Sequence, residues 1–170
     1  MIVAFTAEQA EKEIVQLADL LIDAVSSGAS IGFMPPISRE EALAYWRDVI
    51  DAMRAGRRLL LVATDGDLAQ GSVQIDLEPR ANGNHRAEVI KLFVHRRARR
   101  QGLAKALMSE VESTARSLGR TLLLMDTRKG GEAEKMCESL GYTRFGEVPK
   151  YARSGDGRLE ASAFFYCALD

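Results

Sequence analysis

The 170-residue chain is long enough for one domain with a substantial core and short for two. Apolar residues make up 46% and charged residues 28%, an ordinary balance for a water-soluble globular protein. A net charge of −1 provides no global field for nucleic acid or an anionic membrane, so the functions left are those of a local site.

The first residues, Met1 to Glu8, show neither a basic leader nor an apolar stretch, and the longest apolar runs, 59–63 and 122–125, are too short to span a bilayer. A cytoplasmic protein is expected. Thr6-Ala7-Glu8-Gln9 reads as a capping box opening a helix, and Ile14, Leu17, Leu21 and Val25 recur on one face until Ser26-Ser27-Gly28 stops it. A loop over 28–37 carries Gly32-Phe33-Met34-Pro35-Pro36. Ser38-Arg39-Glu40-Glu41 is a second capping box, and Ala42, Trp46, Val49 and Met53 stripe a helix that Gly56 ends. Strands are then predicted over 58–64 and 68–77, joined at the Asp65-Gly66 turn, and over 87–94. A helix over 102–118, a strand over 121–126, a short helix over 132–140 and strands over 142–148 and 160–169 complete the order. No repeat or linker divides the chain, so a single domain over 1–170 is expected. Helix–strand alternation late in the chain predicts parallel crossovers, and the middle reads as an antiparallel meander. The fold class is mixed α+β, with helices on both faces of one sheet.

One segment concentrates charge. His95-Arg96-Arg97-Ala98-Arg99-Arg100 packs four arginines into five positions, while the acids are spread along the chain. It is followed by Gln101-Gly102-Leu103-Ala104 at the start of a helix striped by Leu103, Leu107, Val111 and Ala115. The first turn of a helix has unpaired N–H groups and a partial positive end. Gly102 lets the backbone approach an anion, small Ala104 keeps the turn open, and Arg99 and Arg100 add forked donors for phosphate oxygens. A pyrophosphate suits such a site; a solvated arginine loop before an ordinary helix is the plainer alternative. Use of the loop as a nucleic-acid module is disfavoured, because aromatic content is only 6% and no basic stripe continues beyond it.

The pattern Arg99-Arg100-Gln101-Gly102-Leu103-Ala104, after the strand Glu88–Val94 and before the helix ending Leu140-Gly141-Tyr142, resembles the signature of the GNAT (GCN5-related) N-acetyltransferases. Segments 28–34, 86–94 and 151–159 also look like the bacterial tabtoxin-resistance acetyltransferase and its relatives, so the similarity covers nearly the whole chain. The resemblance implies a splayed sheet of six to seven strands with about four helices. It implies acetyl-CoA entering between strands 87–94 and 121–126. The pyrophosphate would lie on Arg99 to Ala104, and Leu92, Phe93 and Val94 would pair with the pantetheine arm near a bulge whose N–H groups hold the thioester oxygen. No metal is required, and dimers are common among relatives, so a homodimer is an expectation of the resemblance alone.

In such enzymes the acceptor amine attacks the thioester directly. An alkylammonium with a reference pKa of about 10.4 must first lose a proton, which calls for a carboxylate nearby. Asp126 is the first candidate base, with a helix cap or turn acid as its alternative; Glu88 is the second, with pairing to Arg86 or Lys91 as its alternative. Ile31, Phe33 and Met34, with Trp46, are candidates to line the acceptor pocket, although Trp46 also fits its own helix's core stripe. The sequence departs from the wider family in two places. Cys137 stands where many members have a tyrosine that protonates the leaving thiolate, and Gly130 where many have an asparagine. A packed cysteine is one reading of Cys137, an acid another, and Tyr142 and Tyr151 are substitutes without a positional match. These departures also admit an acyl-CoA sensor that does not turn over. The expected activity is transfer of an acetyl group to a primary amine of a small amino-acid-like metabolite or toxin. Cys137 and Cys167 have no metal-ligand spacing and are read as reduced thiols, and His85 and His95 are isolated, so no metal site is expected.

Overall fold

The structure, a computed structural model, describes residues 1–169. Seven strands form one sheet in the order β1-β2-β3-β4-β5-β7-β6, with β1 Ile2–Phe5, β2 Arg58–Asp65, β3 Leu68–Leu77, β4 Arg86–Val94, β5 Leu122–Arg128, β6 Thr143–Arg153 and β7 Leu159–Ala168. The helices are α1 Ala7–Lys12, α2 Ile14–Ser26, α3 Arg39–Arg54, α4 Leu103–Ser117 and α5 Glu132–Ser139. All neighbouring strands run antiparallel except β4 and β5. The late alternation therefore yields one parallel crossover rather than several, because β7 turns back against β5.

Local chemistry sets most boundaries. Thr6 caps α1 with both bonds of a capping box, and the Ser38 hydroxyl accepts from the Glu41 amide to open α3. The predicted first helix is broken at Glu13, whose non-helical backbone ends α1 and starts α2. β1 was not expected, since four residues are too few to show a period; it forms because Ile2 to Phe5 pair with Ala63 to Leu60 at the sheet edge. β6 runs through Tyr151 to Arg153, five residues beyond its predicted end, carried past an irregularity between Val148 and Ala152.

The two faces of the sheet bury separate cores. Leu60, Val62 and Phe93 pack under α1, α2 and α3, whereas Leu61, Val73, Ile75, Val89, Leu123 and Phe165 pack under α4 and α5. Alternate side chains of a strand point to opposite faces, so period two along β2 supplies both cores at once.

β4 and β5 pair only at Arg86–Leu122, Ala87–Leu123 and Glu88–Leu124. Arg120 fastens this end, its guanidinium donating to the carbonyls of Asn84 and, at 3.1 Å, Glu78. Beyond Glu88 the strands part and leave a V-shaped gap between Val89–Val94 and Met125–Arg128. Position 73 of β3 faces the two residues Lys91 and Leu92 of β4, a β-bulge in which Lys91 takes a left-handed φ of 54°.

Candidate active site

The gap between β4 and β5 has a backbone wall and a charged floor. On the backbone side, Leu92, Phe93 and Val94 line the open edge of β4. Phe93 is buried against the α2–α3 core, while Val94 and the partly buried Leu92 pack on the α4 side. Their side chains are spent on packing, and their main-chain groups toward β5 have no strand partner. The chain then makes a short 3-10 turn over Arg96–Ala98 and enters α4 through Gly102, at φ 80°. Apart from its two chain neighbours, no residue places an atom within 4 Å of where a Gly102 Cβ would stand, so the glycine is required by its left-handed backbone and leaves open space over the first turn. No side chain caps α4, so the first-turn amides of Leu103 and Ala104 have no side-chain partner. This arrangement fits a diphosphate.

The arginines divide their work. Asp23 on α2 accepts from the Arg96 amide at 2.9 Å and the Arg96 guanidinium at 2.5 Å, and Arg97 donates to Gln70 at 3.1 Å. Arg99 donates to the Val94 carbonyl at 3.1 Å and to the Ser27 hydroxyl. Three of the four cations thus fasten the loop to α2, β3 and β4. Arg100, exposed and at φ 60°, has no such bond and is the arginine open to a ligand. Gln101 donates to the Arg97 carbonyl at 3.3 Å, which shapes the turn.

The floor gathers charged groups from four strands on the α1–α3 side of the sheet. Arg58, Asp76 and Glu88 are in register across β2, β3 and β4, and Asp126 follows Leu124, the partner of Glu88, by two residues. Arg58 holds Asp76 at 3.2 Å through two of its nitrogens. Glu88 and Asp126 have no ion pair or hydrogen bond among the described residues. The plainer alternatives for both are not what the structure shows: Arg86 pairs with Glu78 at 2.8 Å, Lys91 bonds Ile31, and Asp126 lies inside β5 rather than capping a helix. Glu88 is open to solvent on one side. Desolvation on its inner side, then the carboxylates of Asp126 and Asp76, push its pKa above the ordinary value, with Arg58 opposing.

Lys91 was not singled out by the sequence, and only its bulge geometry makes it stand out. Its half-buried ammonium donates to the Ile31 carbonyl at 2.5 Å and sits 5.5 Å from the centre of the Phe33 ring. Burial, then Arg58, lower its pKa, and Asp126 opposes. Gly32, at φ 87°, passes so close that a Cβ there would stand 2.8 Å from the Lys91 nitrogen. Phe33 in turn meets Tyr45 edge-on at 5.1 Å, and the Tyr45 hydroxyl accepts from Gln74 at 2.8 Å. The loop over 28–37 is thereby pinned above the gap.

That loop, Arg128 at the end of β5 and the β6–β7 turn enclose a cleft of about 220 Å³, lined in part by Val25, Phe33, Met34, Arg128 and Arg153. Pro35 and Gly155 close the far side, where a Cβ on Gly155 would lie 3.0 Å from the proline ring. Phe33 lines the cleft, and Ile31 contributes its carbonyl to Lys91. Trp46 does not reach it: the side chain is wholly buried in the α2–α3 core, so the core-stripe reading replaces the pocket reading.

The possible acids sort by burial. Cys137 is wholly buried 3.5 Å from the Met125 sulfur, and burial pushes its thiol up to about 12. Tyr142 is buried in the α4–α5 core, and desolvation raises its pKa further still. Neither can give up a proton readily near neutrality. Tyr151 is exposed and meets Phe164, the register partner of Asp126, edge-on at 5.2 Å. Among the described residues no group of three or more metal-ligating side chains comes together. No described helix is long and apolar enough to cross a membrane.

Comparisons with known proteins agree with this geometry. Residues 26–142 match the acetyltransferase (GNAT) family. An N-acetyltransferase encoded in the hisH-hisA intergenic region of Azospirillum brasilense, itself uncharacterized, is 34% identical over 116 residues, covering 66% of this chain and 67% of the relative. Among solved structures, the N-acetyltransferase from Staphylococcus aureus Mu50 superimposes with a TM-score of 0.81 at 16% identity, over 100% of this chain and 98% of its own. The Salmonella typhimurium protein yncA, solved with acetyl-CoA as its cofactor, does so with a TM-score of 0.80 at 19% identity, over 100% and 94% of the two chains. At such identities the structural matches bear on the fold alone.

Proposed function

This chain belongs to the GNAT acetyltransferase family, and on that premise we propose that it transfers the acetyl group of acetyl-CoA directly to a primary amine of a small, amino-acid-like molecule. It is an acyl-CoA N-acyltransferase by family. The observation that carries the finer reading is the pair of unpaired carboxylates, Glu88 and Asp126, on the floor of the gap in the sheet. Bound acetyl-CoA supplies the activated acetyl thioester. This chain's residues do the rest. The amides of Leu103 and Ala104 at the amino end of α4, with Arg100, hold the diphosphate. The open edge of β4 at Leu92–Val94 aligns the pantetheine arm, and the adjacent bulge aims backbone N–H groups at the thioester oxygen. Glu88, with its raised pKa, takes the proton from the incoming ammonium, and Asp126 keeps that ammonium in place.

The segments 28–34, 86–94 and 151–159, which resemble the tabtoxin-resistance acetyltransferase, all border the gap or its cleft. That placement supports an amino-acid-like acceptor and a member of the same subgroup. The same reading treats residues 1–170 as one catalytic domain, working in the cytoplasm as a homodimer on small molecules.

The test is release of CoA thiol from acetyl-CoA with a panel of primary amines, beside calorimetric binding of acetyl-CoA. Turnover with at least one amine is expected. Tight acetyl-CoA binding with no turnover on any amine or peptide would turn the reading to the sensor alternative, and no binding by folded protein would remove it.

A further inference from the structure

The face of the sheet that carries Asp126 does not end at β5. Asp126 stands opposite Phe164 on β7, and residues paired across antiparallel strands point their side chains to the same face. Phe164 in turn stands opposite Gly146 on β6. Three more rings gather around that pair. Phe145 lies 6.2 Å from Phe164 and 6.1 Å from Tyr166, centre to centre, and Tyr151 meets Phe164 at 5.2 Å with the ring planes perpendicular. The charged row of Arg58, Asp76, Glu88 and Asp126 thus continues, one strand further on, into an aromatic one.

This aromatic end is uncovered. On the same side α1, α2 and α3 pack over β1 to β4, and their core takes in no residue of β6 or β7. Neither core of the molecule includes any of the four rings. Phe145 is 56% exposed and Tyr151 52%. Gly146 leaves the position opposite Phe164 unfilled, since a Cβ there would meet nothing within 4 Å beyond its chain neighbours. A contiguous exposed apolar patch marks a binding surface, and strand register indicates for what. In the transferase reading the acceptor's ammonium lies at Glu88 and Asp126. Phe164 is one strand spacing from Asp126, about 4.8 Å. A linker of two carbons spans that distance, so a ring on the acceptor can rest against Phe164 and Tyr151 while its nitrogen stays at the carboxylates. The perpendicular pair offers such a ring both edge-to-face and offset contacts.

We propose that Phe145, Tyr151 and Phe164 form an aromatic subsite for the acceptor, so that the accepted amine carries an aromatic ring about two carbons from its nitrogen. This rests on the transferase reading of the same gap, and deepens it from an amine to an arylalkylamine. A second copy of the chain is the rival occupant of this face. Register favours the acceptor, because the rings begin at Phe164, directly opposite Asp126, rather than at the outer edge of β6.

The experiment compares ethylamine and 2-phenylethylamine as acceptors with acetyl-CoA, in the wild type and in Phe145→Ala and Tyr151→Ala. Both residues are exposed, so the fold tolerates their truncation. 2-Phenylethylamine should exceed ethylamine in kcat/KM by about tenfold or more, the scale of removing a ring from water. In each variant that ratio should shrink by about threefold or more, through KM rather than kcat, with acetyl-CoA affinity unchanged. Comparable use of the two amines by the wild type, or a preference that survives both substitutions, overturns the subsite. So does a loss that falls equally on ethylamine, which would make the rings structural or, at Tyr151, part of the chemistry. A dimer in solution that either substitution dissociates gives the face to a second copy and overturns it as well. If acetyl-CoA binds but neither amine is acetylated, both are titrated calorimetrically into the CoA complex. Tighter binding of 2-phenylethylamine, lost in the variants, upholds the subsite without the transferase reading; equal binding of the two, or none, removes it.

Discussion

The two walls of the gap are built by different means. The β4–α4 side is main chain: a bulge, an open strand edge, a left-handed glycine and a first helical turn, with three of four arginines used as scaffolding. The other side is made of side chains brought in from β4, β5, β6, α3 and the loop over 28–37. Backbone recognition suits an invariant group such as a diphosphate, because its geometry does not depend on side-chain identity. Side-chain recognition suits whatever differs between substrates. Changes on the first side should therefore alter cofactor affinity alone, and changes on the second should alter turnover or acceptor use alone.

The largest effect is expected from Gly102→Glu. It forces a carboxylate side chain onto a backbone at φ 80° and into the space where the helix end faces its anion. Acetyl-CoA affinity should fall by about a hundredfold or more, the sum of strain and like-charge repulsion. Undiminished affinity in a folded variant would show that the diphosphate lies elsewhere.

Next comes Glu88→Gln, which should lower kcat by about 10²–10³-fold, the range for a positioned base, while leaving acetyl-CoA affinity alone. Because the base must be ionised, wild-type kcat should fall as pH drops through a value above the ordinary carboxylate range, and the variant should lose that limb. The sign for stability runs the other way. Folding raises the Glu88 pKa, so the folded state binds the proton more tightly. The wild type is penalised above the folded pKa and relieved on acidification toward the unfolded value. Glu88→Gln should thus melt at a higher temperature than the wild type at neutral pH, a gain in stability beside a loss of rate. A variant that is both slower and less stable would mean that Glu88 holds the sheet rather than the proton. Asp126→Asn should slow turnover less, and a larger loss there would exchange the two roles.

An intermediate effect is expected from Lys91→Met, which keeps the side-chain length and removes the ammonium that holds Ile31 and faces Phe33. Amide hydrogen exchange over 28–34 should quicken by about tenfold, the loss of a hydrogen bond to a charged donor, with acetyl-CoA affinity unchanged. Unaltered exchange would mean that the Phe33–Tyr45 contact alone fixes the loop.

The contrast between the walls also explains what could be read in advance. The backbone wall is local in sequence: the run from Glu88 to Leu118 contains strand, loop, glycine and helix in order, and both α1 and α3 announce their caps. The convergence of Arg58, Asp76, Glu88 and Asp126 depends on strand register, which no local pattern states. Glu88 and Asp126 were reachable because the chemistry demands a carboxylate, but Lys91 and Arg128 carry no motif. Lys91 matters through a bulge, and Arg128 reaches the cleft because it follows Asp126 by two residues on β5. Trp46 shows the opposite error: an aromatic residue at helical spacing is explained by the core of its own helix, and its indole never nears the cleft.

The smallest kinetic effect is expected at the position that departs most visibly from the family. Cys137 stands where the resemblance leads one to expect a proton-donating tyrosine, yet it is sealed against Met125 beneath the sheet, with its thiol pushed up to about 12. A group so reluctant to ionise, with no surface open to solvent, is a poor donor to a departing thiolate. A free thiol has a pKa of about 8.5, so the thiolate needs little assistance near neutrality in any case. Cys137→Ala should therefore leave kcat and its pH profile within about twofold of the wild type, where loss of a positioned acid would cost about 10² or more. The substitution should still lower stability by about 1 kcal/mol through a small cavity under α5. A hundredfold loss of kcat in a variant that melts normally would place the acid at Cys137 and require a route for its proton through the α4–α5 core.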